Sequence, residues 1–203
     1  MPFYEKLSET FHAENKRKTT EQTDFAVIAK ERLQGFRKDG ESVVRLEKPT
    51  NLAAARSKGY KAKQGVVVAR VRMRKGSGGH SRPSRGRRPK RMGVNRLTRR
   101  QSIQVMAEQR AARKFKNTQV LNSYWIGEDG KHKYFEVILI DGTHPSILAD
   151  KNLSWVGDPT HKGRVSRGKT AAGKKSRGVG RGKRGRGFEK NYPSQRAHAR
   201  KAK

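Results

Sequence analysis

Two long stretches of this chain contain almost no acid. Residues 51–100 hold 17 Lys and Arg and no Asp or Glu, and residues 161–203 hold 16 against 1. The other stretches are balanced, at 10 against 9 over residues 1–50 and 7 against 7 over residues 101–160, so the two blocks own nearly all of the formal charge of +33. Within them, like charges lie inside a Debye length of about 8 Å, and self-repulsion opposes compaction. Such segments need counter-charge to take shape. With only 32% of 203 residues hydrophobic and 7% aromatic, the chain can bury one modest core, the remainder being solvated or set against something anionic. That profile excludes an ordinary enzyme with uniformly mixed surface charge, and blocks this long point to nucleic acid rather than to a solvated face. The absence of Cys removes a disulfide framework, a thiolate zinc site and a cysteine nucleophile, and leaves the redox compartment unread. No apolar run approaches the roughly 18 to 20 residues of a membrane span, and Met1 to Ala13 lacks the basic start and apolar stretch of a secretory signal. A cytoplasmic chain without membrane contact is expected.

Hydrophobic spacing divides the chain further. Phe3, Leu7 and Phe11 predict a short helix after Pro2, and Phe25, Ile28, Ala29, Leu33 and Phe36 predict a second one, capped by Thr20 or Thr23 and ended before Gly40. Thr50 can cap a third helix through Asn51 to Ala55, with Gly59 ending it. Gly65 to Arg74 alternates in its second half: Ala69, Val71 and Met73 on one face, Arg70, Arg72 and Arg74 on the other, as in a half-buried strand with a guanidinium ladder. Thr98 with Gln101 forms a capping-box pattern before the helical stripe Ile103, Met106, Ala107, Ala111 and Phe115. Gln119–Ile126 and Tyr134–Asp141 are strands joined at Asp129-Gly130, a favoured hairpin turn. Ile147, Leu148, Leu153 and Trp155 suit a short helix on the body.

The expected fold is therefore α/β of the α+β type: a small β-α-β-β body with a partly antiparallel sheet flanked by helices. Residues 1–48 form an N-terminal helical segment packing on it, residues 49–74 and 97–160 the body, residues 75–96 a basic extended loop, and residues 161–203 a basic Gly-, Arg- and Lys-rich extension. Beyond about Lys162 the periodicity stops, and the last stretch cannot bury enough apolar surface to offset the entropy of ordering it. Extended, some 40 residues reach on the order of 130 Å.

Several motifs tempt. Gly163 to Thr170 reads GRVSRGKT and fits the phosphate-loop pattern, while VILID at Val137 to Asp141 offers an acidic strand end for magnesium. A phosphate loop needs a buried strand before it and a helix after it, so that backbone N–H groups converge on the phosphates; GDPTHK and AAGKKSRGVGRG suit neither flank. Gly180, Gly182 and Gly185 match a dinucleotide fingerprint without its strand or its acidic residue. The six His never fall at paired metal-ligand spacing. Asp141 and His144 lack a companion nucleophile, and a turn-stabilising Asp is the better reading. Binding chemistry remains. Arg forks onto phosphate oxygens, Lys neutralises them, and Gly lets backbone approach closely. Tyr60, Phe188 and Tyr192 are aromatics placed for stacking on unpaired bases, with simple packing as the alternative. Composition does not separate RNA from DNA, but long flexible arms fit a large folded RNA better than a duplex reader.

GYKAKQGVVVARVRMRKG (Gly59 to Gly76), GVNRLTRRQSIQVMAEQRAARKF (Gly93 to Phe115), VLNSYWIGEDGKHKYFEVILID (Val120 to Asp141) and TAAGKKSRGVGRG closely resemble the family of large-subunit ribosomal protein fifteen of eukaryotic and archaeal type, with an archaeal lean. Family members often carry Asp-Pro where this chain has Asp141-Gly142. The resemblance implies a structural constituent of the large ribosomal subunit, binding its RNA without catalysis, cofactor, metal or small-molecule substrate. Neighbouring ribosomal proteins are the other implied partners, and no homo-oligomer is implied. RNA contact carries over onto Lys61, Lys63 and Gln64, onto Arg70, Arg72 and Arg74, and onto Lys174, Lys175 and Arg177. The basic stretches around them add Arg56, Lys58, Tyr60, Lys75, Arg82, Arg85, Arg87 and Arg88. Lys90, Arg91, Arg96, Arg99, Arg100, Lys169, Arg181, Lys183, Arg184 and Arg186 complete the expected RNA-binding set. A DNA-compacting protein and, more remotely, a triphosphatase using Lys169 and Thr170 are the rival readings.

Overall fold

In the computed structural model, residues 3–16, 24–77, 81–94, 98–99 and 101–177 are described. Four strands form one sheet in the order β1-β2-β4-β3, with β1 at Val43–Leu46, β2 at Val66–Arg74, β3 at Gln119–Glu128 and β4 at His132–Ile140. Every pairing is antiparallel. The β3–β4 hairpin turns at Asp129 as expected: its carboxylate accepts from the backbone N–H of Lys131 at 2.8 Å and of His132 at 2.6 Å. Burial weighs against charge at this partly enclosed site, yet those N–H donors, the Arg37 guanidinium and the Tyr134 hydroxyl prevail, lowering the Asp129 pKa to about 2.

Helices cover both faces. On one side lies α4 (Ile103–Lys114), whose Ala107 and Ala111 bring its backbone close to Ala69, Val71, Val137 and Leu139. On the other lie α1 (Phe3–Asn15), α2 (Phe25–Lys38) and α3 (Leu52–Ser57), which bury Phe11, Phe36 and Ala55 against Val68, Tyr134 and Ile138. Because both faces are covered, β4 is buried without interruption from Tyr134 to Ile140, while β2 alternates as its sequence requires. A third cluster at one end of the sheet joins Ile140 to Ile147 of α5 (Pro145–Leu148), Leu153 and Val156.

Two glutamates are buried in this core, each for a structural reason. Glu136, in the centre of β4, accepts from the backbone N–H of Thr50 at 3.0 Å and from the Tyr124 hydroxyl, tying the approach to α3 to the sheet. Burial, then the Glu136 charge, pushes the Tyr124 phenol up, so it remains a donor. Glu108 of α4 accepts from Ser123 Oγ of β3 at 2.6 Å and from Thr170 Oγ1 at 2.6 Å.

The structure departs from the sequence expectations at five places. The segment 1–48 contributes strand β1, four residues paired with β2 through Val43↔Val71 to Leu46↔Val68; so short a strand shows no alternation and is set by the free edge of β2. Helix α2 is capped by Asp24, whose carboxylate accepts from the N–H of Ala26 at 2.9 Å, while Thr20 and Thr23 lie outside the described residues. Helix α3 is capped by Asn51, not Thr50: the Asn51 side-chain oxygen accepts from the N–H of Ala54 at 2.9 Å, while the Thr50 N–H donates to Glu136. Helix α4 starts after Ser102, whose Oγ accepts from the N–H of Val105 at 3.3 Å; the Thr98 and Gln101 pattern does not cap it. The packed body runs to residue 177, past the boundary expected at 161, because Val165 and Ala172 reach the core and α6 (Ala171–Arg177) rests beside α4. A helix does therefore follow the GRVSRGKT stretch, although turns and not a strand precede it.

Two glycines do what the backbone asks. Gly59 ends α3 at φ 94°, the left-handed conformation expected of it. At Gly142 a Cβ would stand 3.0 Å from the Gly157 Cα and the Val156 carbonyl, so this turn packs backbone against backbone. The adjoining Asp141 accepts from the N–H and hydroxyl of Thr143 at 3.0 and 2.7 Å, which is the turn-stabilising role anticipated for it.

Candidate nucleic-acid interface

The cations sort by whether the protein has already neutralised them. Arg70 and Arg72, the ladder on β2, turn toward the end of α2. Arg70 pairs with Asp39 and lies with its Cζ 4.2 Å from the Phe36 ring centroid, leaving its side chain 14% exposed. Arg72 donates to the carbonyls of Asp39 at 3.1 Å and Gly40 at 3.3 Å. Most of the ladder is thus spent on holding a helix C-terminus, where unpaired carbonyls attract cations. Arg74 is exposed, and its carbonyl accepts from Arg99 at 3.4 Å.

Lys61 and Lys63 converge on Asp150, at 3.1 and 2.8 Å. The Lys63 ammonium, the Asn152 N–H and Lys61 hold the Asp150 carboxyl well below the usual carboxylate range. Two ammoniums on one carboxylate leave a surplus positive charge beside the exposed Gln64. Lys75 donates to Glu128 at 2.9 Å. Arg56 and Lys58 are exposed, with Arg56 6.0 Å from the Tyr60 ring centroid. Tyr60 itself is only 8% exposed and packs with the α1–α3 core, so its ring is not offered for stacking.

The loop is different. Arg82, Arg85, Arg87, Arg88, Lys90 and Arg91 are all exposed, and none is ion-paired with a described residue. Its one regular turn, Pro89–Arg91, buries nothing. Lys169, Lys174 and Lys175 are likewise exposed and unpaired at the other end of the described chain, while Arg177 donates to the Gly168 carbonyl at 3.2 Å. Thr170, in contrast, is fully buried, its hydroxyl given to Glu108. Arg96, Arg100, Arg181, Lys183, Arg184 and Arg186, with Phe188 and Tyr192, lie outside the described residues.

Pairing also exposes cations that sequence reading passed over. The balanced stretch 101–160 spends Glu128, Asp129 and Asp150 on Lys75, Arg37, Lys61 and Lys63, cations from elsewhere in the chain. Its own Arg113, Lys116, Lys131 and Lys151 are left exposed and without an ion-pair partner among the described residues. Counting charges along the sequence cannot find them, because pairing is a matter of tertiary contact.

A family model described as Ribosomal L15 matches residues 8–198, nearly the whole chain. The chain belongs to the Ribosomal L15 family. Similar members include the large ribosomal subunit protein eL15 of Methanocella arvoryzae, 59% identical over 173 residues that cover 85% of this chain and 87% of that protein. The protein of the same name from Methanospirillum hungatei is 53% identical over 186 residues, 92% and 93% of the two chains, and that of Picrophilus torridus 51% identical over 183 residues, 90% and 92%. The Ribosomal L15 resemblance of the strings at Gly59, Gly93 and Val120 is thereby borne out over a span far longer than those strings.

Proposed function

We propose that this chain is a structural constituent of the large ribosomal subunit, within the cytoplasmic ribosome, where it binds and stabilises folded large-subunit ribosomal RNA in support of translation. The observation that carries this reading is the division of its charge: the acids neutralise the body, and the loop at residues 82–91 keeps six exposed cations with no described acid paired to them. An array of that kind screens phosphate repulsion between RNA helices without needing base-specific contacts. Membership of a ribosomal family and relatives named for the large subunit support RNA as the polyanion. The body docks as a unit, the basic segments thread between helices, and neighbouring ribosomal proteins complete the surroundings of a single copy of the chain.

No catalytic step is assigned to it. A phosphate loop would need the Thr170 hydroxyl free for magnesium, and that hydroxyl is buried on Glu108. The test is competition. The full chain should bind structured large-subunit RNA in preference to random duplex DNA and co-sediment with large subunits. Equal competition by duplex DNA would move the assignment to a DNA-compacting protein.

A further inference from the structure

Strand β1 covers only part of the edge of β2, pairing from Val68 to Val71. Beyond it the Arg72 N–H donates to the Ser42 carbonyl at 2.9 Å, and β1 has no residue left to meet the carbonyls of Arg72 and Arg74. Guanidiniums meet them instead. Arg110 of α4 donates to the Arg72 carbonyl at 3.1 Å, and Arg99, shortly before α4, donates to the Arg74 carbonyl at 3.4 Å. One turn on from Arg110, Lys114 reaches the Val43 carbonyl at 2.8 Å and pairs with Glu41. Between α4 and the start of β1 lies an open cleft of about 430 Å³, lined by Glu41, Ser42, Val43, Arg110, Arg113 and Lys114. Its one carboxylate, Glu41, is engaged by Lys114, whereas Arg110 and Arg113 are exposed and have no acidic partner among the described residues. A carbonyl accepts a hydrogen bond without cancelling charge, so Arg110 is held in place and still cationic.

We infer that this edge is a second phosphate-binding surface, on which Arg110 and Arg113 each take one phosphate of the RNA backbone, a step that rests on the function proposed above. Residues three apart on a helix are neighbours, so the two side chains leave α4 side by side. Continuity with the basic loop chooses the occupant. The chain leaves β2 at Arg74 and returns at Arg99, and these two residues touch, so the loop that carries the cations of residues 82–91 is rooted at this edge. An RNA strand lying along the loop meets the edge at its root. A guanidinium fork suits phosphate oxygens, and Arg110 is ordered before RNA arrives, which lowers the entropic cost of its contact.

The test is Arg113→Gln in the full chain, a change at an exposed side chain without a described ion-pair partner, so thermal unfolding should match the native chain. Against a structured large-subunit RNA fragment it should lower the salt slope by about 0.7 to 0.9, equivalent to about a five- to eightfold loss of affinity at 100 mM salt that fades toward 1 M. Arg113→Lys keeps the charge and should keep the slope. Bound RNA should also protect Arg113 of the native chain from an arginine-selective dicarbonyl reagent, read by mass spectrometry. An unchanged slope with Arg113 modified at its free rate overturns the site and leaves the proposed function standing. Protection without a change in slope is shielding without a phosphate contact, and a change in slope without protection belongs to the general field of the chain; either overturns the site. Protection that appears only on adding large-subunit proteins gives the cleft to a protein partner and overturns it too. If the unsubstituted chain does not bind RNA, both readings fall.

Discussion

Replacing Arg82, Arg85, Arg87, Arg88, Lys90 and Arg91 with Gln separates phosphate neutralisation from structural use of charge. All six side chains are exposed and without an acidic partner among the described residues, so each is free to displace a counterion from RNA. At about 0.7 to 0.9 log units of affinity per log unit of salt for each phosphate neutralised, the six together account for a slope of about 4 to 5. Between 50 and 200 mM salt, native binding should therefore lose about three hundred- to two-thousandfold more affinity than the six-Gln variant loses. Thermal unfolding of that variant should match the native chain, because these side chains bury nothing. The contrast is Arg70→Gln with Arg72→Gln. Those guanidiniums serve Asp39 and Gly40, so their loss should cost about 2 kcal/mol or more of stability and leave the salt slope nearly intact. Anisotropy titrations at several salt concentrations with one RNA fragment measure both slopes. An unchanged slope for the six-Gln variant, or an equal loss per residue for the β2 pair, refutes the division of charge drawn here.

Other outcomes follow from the Glu108 network. Thr170→Val removes a short bond to a buried carboxylate and the acceptor of the Gly173 N–H, so it should destabilise the chain by about 2 to 4 kcal/mol in denaturant unfolding. A change within about 0.5 kcal/mol would mean that residues 162–177 are not held as described. Burial raises the Glu108 pKa above 4.5, against the lowering effect of Ser123, Thr170 and Arg164. A carboxyl raised in the folded state adds stability below its unfolded value and loses it as pH climbs through the raised value. Glu108→Gln should therefore remove a component of stability that declines from about pH 4.5 upward, seen as a flatter profile of melting temperature against pH than the native chain gives. Parallel native and variant profiles over that range would contradict the raised pKa.

Much of this body is legible one residue at a time. The strict alternation from Ala69 to Arg74 and the apolar run at Tyr134 to Ile140 specify strands, and Asp129-Gly130 specifies their turn, because side-chain direction in a strand depends only on parity and turn geometry on local chemistry. The helical stripe from Ile103 is equally local, but its start is not. Thr98 and Ser102 both offer a capping hydroxyl, and only docking of α4 on the sheet selects Ser102. Strand β1 was invisible for the same reason: four residues acquire strand geometry from the open edge of β2.

The interface divides likewise. Linear order alone determined that this protein carries two cationic blocks almost empty of acid around a balanced body, and hence that it requires a polyanion, since net charge per segment does not depend on folding. Which cations remain free was decided by tertiary structure. Arg70, Arg72, Lys61 and Lys63 sit in the same basic block as Arg82 to Arg91, yet Asp39 and Asp150 engage the former and nothing described engages the latter. Likewise, Thr170 belongs to the core, because an ion pair and a buried hydroxyl each depend on what the folded chain brings within a few ångströms.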